Sequence, residues 1–172
     1  MKEKKLNLGC GKDIKDGYIN VDSVKLPGVD IVHDLNKFPW PFKDDEFDEV
    51  YASHILEHLK DTLKVMEELH RITKKTGVIK IKVPLVPGPA AFSDPTHRSF
   101  FTYFTFDYFT GKRGDWYSRA RFKIIKRKFV FSWNKWLNWI SFFINLFPVV
   151  YQRFFAALLP SNELYIELQP IK

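Results

Sequence analysis

Short apolar runs separated by turn residues make up most of the first half of the chain. Four of them have the length and composition of β-strands, at residues 6–8, 18–22, 29–35 and 47–52. From Asp61 the pattern changes, because apolar residues then recur every three or four positions up to residue 75. We therefore predict a helix over 61–75, with Asp61 as its N-cap and Gly77 as the residue beyond its C-terminus.

Three further strands are predicted after this helix, at residues 78–83, 122–131 and 163–168. Strands that alternate with a helix favour an α/β sheet. Fewer than ten residues separate the first strand from the second, and the second from the third. A crossover that contains a full helix needs about ten to twelve residues. We expect the first two helices of the fold to be shortened to single turns.

An aromatic segment between residues 133 and 159 is the least ordinary part of the sequence. No charged residue occurs from 136 to 152, a run shorter than the roughly 20 residues that a membrane span needs. Its polar residues recur at helical spacing and form a narrow stripe: Asn134, Asn138, Ser141 and Asn145. Three interpretations stay open: a helix that packs on its own sheet or closes an acceptor pocket, a helix that inserts into a membrane surface, and a dimer interface.

Positive charge is concentrated beside this segment. The 172-residue chain carries a net charge of +7, and nine basic residues lie between Lys112 and Lys135 against a single acid, Asp115. Such a segment suits the phosphates of lipid headgroups or of a nucleic acid. A nucleic acid is the less favoured partner, because no known RNA-binding motif is present and 122–131 alternates like a solvated strand.

Two features of the sequence concern the compartment. Cys10 is the single cysteine, so an intrachain disulfide is impossible and nothing indicates an oxidising environment. The apolar run near the N-terminus is too short for a secretory signal. We expect a cytoplasmic protein, with peripheral contact to the inner membrane face through residues 112–159 as an open alternative.

Chemistry-bearing residues follow the predicted strands at their carboxyl ends, where open α/β sheets bind nucleotide-like ligands. Gly9 and Gly11 follow the first strand, Asp22 ends the second and Asp34 lies near the end of the third. Glycines allow the backbone to approach a ligand closely, and the two carboxylates can accept ribose hydroxyls and an adenine amine. There is no G-x-G-x-x-G motif, which disfavours a pyrophosphate and favours a cofactor without phosphates.

These residues stand in a recognisable series of motifs. The series is LNLGCG at 6–11, NVD at 20–22, HDL at 33–35, PWPFKDDEFD at 39–48 and SHILEHL at 53–59. It resembles the class I S-adenosylmethionine-dependent methyltransferases of the type-11 methyltransferase-domain subgroup, in a compact form. The resemblance implies a Rossmann-like sheet of about seven strands, mostly parallel with an antiparallel last strand. It also implies abbreviated early helices and an aromatic helical insertion before the last strand.

The same resemblance assigns a cofactor site for S-adenosylmethionine. It implies that the loop Gly9, Cys10 and Gly11 lines the methionine end and that Asp22 holds the ribose. The remaining positions are implied for the adenine (Asp34 and Leu35) and for the sulfonium side (Ala52 and Ser53). Asn7 departs from the family, where aspartate is common; its amide can still anchor the loop by hydrogen bonds.

Three residues are candidates for removing a proton from a hydroxyl or amine acceptor: His54, Asp94 and His97. His54, Glu57 and His58 also match H-x-x-E-H, a zinc-peptidase pattern in which both imidazoles would share one helix face. The pattern lies inside the methyltransferase motif and lacks a third ligand, so no metal is expected. We expect His54 at the mouth of the site and His58 packed or capping.

The function expected is methyl transfer to a hydroxyl or amine of a small molecule or saccharide. An RNA methyltransferase and a non-catalytic cofactor-binding adaptor are the alternatives, and a homodimer stays open. We predict one domain over 1–172. Its parts are a cofactor-binding half at 1–83, an acceptor-side segment at 84–121, a helical insertion at 133–160 and a closing strand at 162–170.

Overall fold

The computed structural model describes residues 3–111, 116–132 and 134–172, with the backbone alone at 135 and 138. Seven strands form a single sheet in the order β3-β2-β1-β4-β5-β7-β6. Their bounds are β1 Lys5–Leu8, β2 Ile19–Asp22, β3 Ile31–Val32, β4 Phe47–Ser53, β5 Thr73–Pro84, β6 Phe122–Val130 and β7 Glu163–Pro170. Only β7 runs antiparallel to its neighbours, which confirms the predicted fold class.

The centre of the sheet is apolar where β1, β4 and β5 lie side by side. Leu6 of β1, Val50 and Ala52 of β4, and Ile79 and Ile81 of β5 have no exposed surface. Apolar residues alternate with other residues along these strands, because every second side chain of a strand points to the same face of the sheet. Their shared direction brings the ends of β1, β2, β3 and β4 to one edge of the sheet.

The third strand is shorter than predicted. It ends at Val32, because the Asp34 carboxylate accepts hydrogen bonds from the Asn36 amide at 3.0 Å and its side-chain nitrogen at 3.1 Å. This local bond turns the chain away from the sheet. Every residue between β1 and β2 and between β2 and β3 is described, and neither connection contains a helix. The two early helices, which we expected as single turns, are therefore replaced by loops.

Helix α1 spans Thr62–Ile72, and the Asp61 carboxylate caps it by accepting from the Lys64 amide at 3.0 Å. Its predicted C-terminus was wrong, because residues 73–77 belong to β5. Gly77 lies where the pairing of β4 and β5 changes register. A Cβ at Gly77 would come within 2.9 Å of the Phe47 carbonyl oxygen, so this glycine permits close strand approach instead of ending a helix.

Short helical pieces occupy most of the second half. They are α2 Pro89–Ser93, a 3-10 helix at Thr105–Phe109, another at Lys135–Leu137, α3 Asn138–Leu146, α4 Pro148–Val150 and a π-helical turn at Tyr151–Phe155. The predicted aromatic helical region therefore precedes the last strand. Among the described residues, no helix has the length and apolar character needed to cross a membrane.

Helix α3 faces the sheet with its polar stripe and with the buried Ile144. Asn145 accepts from the Phe129 amide at 2.8 Å and donates to the Phe129 carbonyl at 2.9 Å. Ser141 accepts from the Phe131 amide at 2.9 Å. The polar stripe thus satisfies backbone groups of β6, the edge strand, that would otherwise lack partners. As a result, the aromatic side of α3 faces outward.

Candidate functional site

The carboxyl ends of β3, β2, β1 and β4 meet at one edge of the sheet in that spatial order. Along this edge lie Asp34, Asp22, the loop 9–11 and Ser53, each at the end of its strand or a few residues beyond it. The edge of a parallel sheet beyond the strand ends is where such folds bind ligands. The predicted cofactor positions thus share one edge.

The glycine loop is fastened to β2 on two sides. The Cys10 amide donates to the Val21 carbonyl at 3.0 Å, and the Gly11 amide donates to the Asp22 carboxylate at 2.8 Å. Beneath the loop, buried Asn7 donates to the Asp13 carbonyl at 2.8 Å and to the Asn20 side chain at 2.9 Å. Asn7 therefore anchors the loop, as the sequence predicted for an amide at this position.

The two glycines of the loop have different surroundings. Both have positive φ, +61° at Gly9 and +50° at Gly11, a region that side-chain-bearing residues avoid. A Cβ on Gly9 would lie 2.5 Å from the Ile55 side chain, whereas a Cβ on Gly11 would point into open space. Gly9 allows the loop to pack on Ile55, and Gly11 leaves room for a ligand against the backbone.

Both strand-end carboxylates are held by backbone amides. Asp22 also accepts from the Val24 amide at 3.1 Å. At Asp34 the hydrogen bonds from Asn36 lower the pKa of the carboxyl group, so it is ionised and can only accept. Two ionised or hydrogen-bonded carboxylates on neighbouring strands suit the hydroxyl and amine donors of an adenosyl group.

Three other predicted cofactor residues are buried, with exposed fractions of 4% for Cys10, 4% for Leu35 and 0% for Ala52. Their side chains belong to the core, so a ligand at this edge could meet only their backbone. Burial raises the pKa of the Cys10 thiol, and nearby Asp22 adds to the shift. Ser53 is half-buried at the end of β4. Cofactor contact by these residues stays a prediction.

A cavity of about 540 Å³ lies next to the end of β5. All three catalytic candidates, His54, Asp94 and His97, line it together with Glu57 and His58. The fold therefore brings together residues from the segment after β4 and from the loop after α2, more than 35 positions apart in the sequence. Their catalytic roles stay predictions.

His54 is fixed between two carboxylates. Its Nε2 lies 3.0 Å from Glu163 Oε1 and its Nδ1 lies 3.3 Å from Glu57 Oε1. The hydrogen bond to Glu163, followed by the contact with Glu57, raises the pKa of His54 to about 9. His54 is therefore protonated at neutral pH. Sequence reasoning missed Glu163, which has no local signal because 109 positions separate it from His54.

Asp94 and the two other histidines form a second cluster at the same cavity. The Thr96 hydroxyl donates to Asp94 at 2.7 Å and lies 2.9 Å from His58 Nδ1. The hydrogen bonds from Thr96 lower the pKa of Asp94. His97 Nδ1 lies 2.9 Å from the Ala91 carbonyl oxygen, and the rings of His58 and His97 meet edge to face with centroids 4.8 Å apart.

The H-x-x-E-H segment does not form the helix face that its spacing suggests. His54 directly follows β4 with a φ of +53°, whereas His58 closes a 3-10 helix at Leu56–His58. The two imidazoles consequently face different partners: Glu163 for His54 and Thr96 for His58.

Comparisons with known proteins find methyltransferases among the sequences similar to this chain. A family model described as Methyltransferase domain matches residues 7–81. A demethylmenaquinone methyltransferase from Lysinibacillus sphaericus (strain C3-41) is 32% identical over 72 residues, 40% of this chain. The match covers only 30% of that relative's length.

Solved structures resemble the whole chain in fold. The YcgJ protein from Bacillus subtilis has a TM-score of 0.62 at 12% identity, over 99% of this chain and 92% of its own. A SAM-dependent methyltransferase from Archaeoglobus fulgidus has a TM-score of 0.59 at 17% identity, over 97% and 86%. Coclaurine N-methyltransferase, bound to N-methylheliamine and SAH, has a TM-score of 0.57 at 10% identity, over 98% and 68%.

The motifs at the ends of β1 to β4, the seven-stranded sheet and the match to the family model agree. Residues 7–81 of the chain match the methyltransferase-domain model, and the whole chain has the fold of solved S-adenosylmethionine-dependent methyltransferases.

Proposed function

We propose that this protein transfers the methyl group of S-adenosylmethionine to an acceptor bound at the carboxyl edge of its sheet. The observation that carries the proposal is the hydrogen bond of 2.8 Å between the Gly11 amide and the Asp22 carboxylate. It brings the glycine loop and the second strand end together, and Gly11 faces open space there.

The residues of this edge fit the parts of the cofactor, whose sulfonium supplies an electrophilic methyl group when it is bound. Asp22 accepts hydrogen bonds from ribose hydroxyls, and Asp34 accepts from the adenine amine. The loop 9–11 offers backbone beside the methionine part. Because methyl transfer is an in-line displacement, much of the rate comes from holding donor and acceptor in the right geometry.

The acceptor proposed is a hydroxyl or amine of a small molecule or saccharide in the cavity beside β5. His97 is the candidate best placed to interact with it. Its Nδ1 is engaged by the Ala91 carbonyl, and among the described residues its Nε2 has no hydrogen-bond partner. His54 is engaged at both nitrogens, and Asp94 is engaged by Thr96.

The curated relative is named for demethylmenaquinone, but its match covers only 40% of this chain and 30% of that relative. An acceptor cannot be transferred from that match.

Radiolabelled methyl transfer tests the proposal directly. Purified protein with methyl-tritiated S-adenosylmethionine should label a small-molecule or saccharide fraction of cell extract. Asp22→Asn should lose about tenfold or more of the labelling, because a hydrogen bond to a charged group contributes about 1.5–3 kcal/mol. Asp16→Asn, an exposed neighbour, is the matched control and should retain it.

Other labelling patterns would contradict the proposal. Label confined to ribonuclease-sensitive material would favour the RNA methyltransferase. Cofactor binding without label in any fraction would favour the non-catalytic adaptor. Equal labelling by wild type and Asp22→Asn would exclude the proposed site.

A second proposal concerns where the protein acts. Large apolar side chains are exposed along 136–158, and we call them the aromatic surface: Trp136, Trp139, Phe142, Phe143, Phe147, Phe154 and Leu158. Their exposed fractions run from 57% at Phe143 to 87% at Trp136. Contiguous exposed apolar surface of this kind marks an interaction site.

We propose an anionic membrane surface as its partner. Lys128 lines a groove with Phe142 and Leu146, and Arg153 is exposed beside Phe154. Basic residues at the rim of an apolar helical face are the pattern of interfacial membrane binding. A dimer interface is the competing occupant, and the element-scale experiment in the Discussion separates the two.

A further inference from the structure

We propose that Glu57, His58 and His97 bind a divalent transition-metal ion, with Zn²⁺ as the reference ion, at the wall of the acceptor cavity. One ligand atom from each residue can be chosen so that all three lie within 4.8 Å of one another. A tetrahedral zinc ion has ligands at about 2.0–2.2 Å for nitrogen and oxygen, so the three atoms need only small side-chain adjustments to share an ion.

The backbone already holds these ligands together. Glu57 and His58 are consecutive in the 3-10 helix at Leu56–His58. The Glu57 carbonyl accepts from the Arg98 amide at 2.7 Å and from the Ser99 amide at 3.2 Å. These two bonds fix the segment after His97 against the 3-10 helix, so the distant ligand is positioned by main chain.

Glu57 is the observation that points to a ligand. Its side chain has no exposed surface, yet neither carboxylate oxygen has a hydrogen-bond partner among the described residues. Its polar neighbour within ion-pair distance is His54, 3.3 Å away. That ion pair engages Oε1 alone, so the buried Oε2 is left without a hydrogen-bond partner among the described residues, which is costly. A bound cation would satisfy both oxygens, and Glu163 would still hold His54.

Each of the two histidines has its Nδ1 engaged by a hydrogen bond, which leaves its Nε2 available to a metal ion. His97 donates from Nδ1 to the Ala91 carbonyl oxygen. Thr96 donates its hydroxyl proton to Asp94, so it accepts from His58 Nδ1. Each Nδ1 therefore carries the proton, and each Nε2 presents a lone pair. A carboxylate or carbonyl that fixes the second nitrogen is the usual support of a metal-bound histidine.

The ligand set also predicts what the metal would do. Two histidines and one glutamate leave a fourth position open, as in catalytic zinc sites. All three residues line the cavity of about 540 Å³, so an acceptor oxygen could occupy that position. A metal ion lowers the pKa of a bound hydroxyl, which favours a hydroxyl acceptor over an amine. This part rests on the proposed function, and His97 then acts through the metal instead of taking the proton.

Metal binding is measurable without any substrate. Untagged, chelator-treated protein is titrated with Zn²⁺ by calorimetry and with Co²⁺ by visible absorption, which reports the ligand geometry. We expect one equivalent to bind, with affinity lowered about tenfold or more in His58→Ala, His97→Ala and Glu57→Gln. His33→Ala removes a histidine whose contact is the Lys37 carbonyl, and it should bind like wild type.

A supporting-residue variant covers the case in which a ligand variant does not fold. Thr96→Val removes the partner of His58 Nδ1 and should weaken Zn²⁺ binding about tenfold, the usual effect of losing such a support. The proposal is wrong if wild type binds no more tightly than His58→Ala or His97→Ala, or if His33→Ala loses binding equally. Binding of S-adenosylhomocysteine to metal-free protein is measured separately, so failure of the metal site leaves the cofactor proposal standing.

Discussion

At the scale of single residues, the two glycines after β1 have different surroundings, which the sequence motif alone does not indicate. Both adopt positive φ, and replacement by alanine costs about 1–2 kcal/mol for that backbone conformation alone. Only Gly9 is also pressed against a neighbour, because its Cβ would lie 2.5 Å from the Ile55 side chain. Gly9 is therefore needed for packing against Ile55, whereas Gly11 leaves space for a ligand beside the backbone.

We predict that Gly9→Ala lowers the melting temperature more than Gly11→Ala does. Overpacking adds about 1–3 kcal/mol to the cost at Gly9, and about 1 kcal/mol corresponds to roughly 2–4 °C in a chain of this size. Thermal denaturation of both variants beside wild type measures the difference. Equal melting temperatures for the two variants would show that Ile55 moves aside without cost.

Residues that could be predicted from the sequence are those whose role is local. The ends of strands can be predicted from the pattern of apolar residues, and this applies to Gly9, Gly11 and Asp22. The residue pairs that shape the cavity beside β5 could not be predicted. Glu163 meets His54, and Arg98 meets Glu57, only because β7 and the loop after α2 fold back onto the end of β4.

At the scale of elements, the inward face of α3 carries polar residues beside the buried Ile144. Amphipathic helices generally turn their apolar side toward the core. Here the neighbour is the backbone of the edge strand β6, whose amide and carbonyl at Phe129 pair with Asn145. The sequence predicted the polar stripe correctly, but spacing alone cannot say which side faces inward. That depends on the sheet edge it meets.

We predict that the outward side of α3 binds anionic vesicles. Wild-type protein should co-sediment at low salt with vesicles containing phosphatidylglycerol, and Phe142→Ser should reduce the bound fraction severalfold. Phe142 is 64% exposed, and the matched control is Val32→Ser. Val32 is 51% exposed and lies on β3, at the opposite edge of the sheet.

Sedimentation without lipid gives the competing result. A dimer that Phe142→Ser dissociates, together with no vesicle binding by wild type, would assign the aromatic surface to a second copy of the chain. Equal vesicle binding by wild type and Phe142→Ser would exclude the aromatic surface as the membrane-binding site.

At the scale of the whole molecule, different parts of the chain contribute different surfaces around one sheet. The half matched by the family model, residues 7–81, contains the glycine loop and both strand-end aspartates. The second half adds β6, β7, the cavity wall at Asp94 and His97, and the aromatic surface. Asp94, His97 and the aromatic surface all lie outside residues 7–81, so the match to the family model says nothing about what they bind.

Calorimetry with S-adenosylhomocysteine tests the central claim most directly, because it needs neither acceptor nor metal. We predict one bound molecule per chain and an affinity about tenfold or more weaker in Asp22→Asn, whose charged hydrogen bonds are worth about 1.5–3 kcal/mol. Asp16→Asn should bind like wild type. An absence of binding by wild type, or equal affinity in Asp22→Asn, would contradict a cofactor site at the ends of β1 and β2.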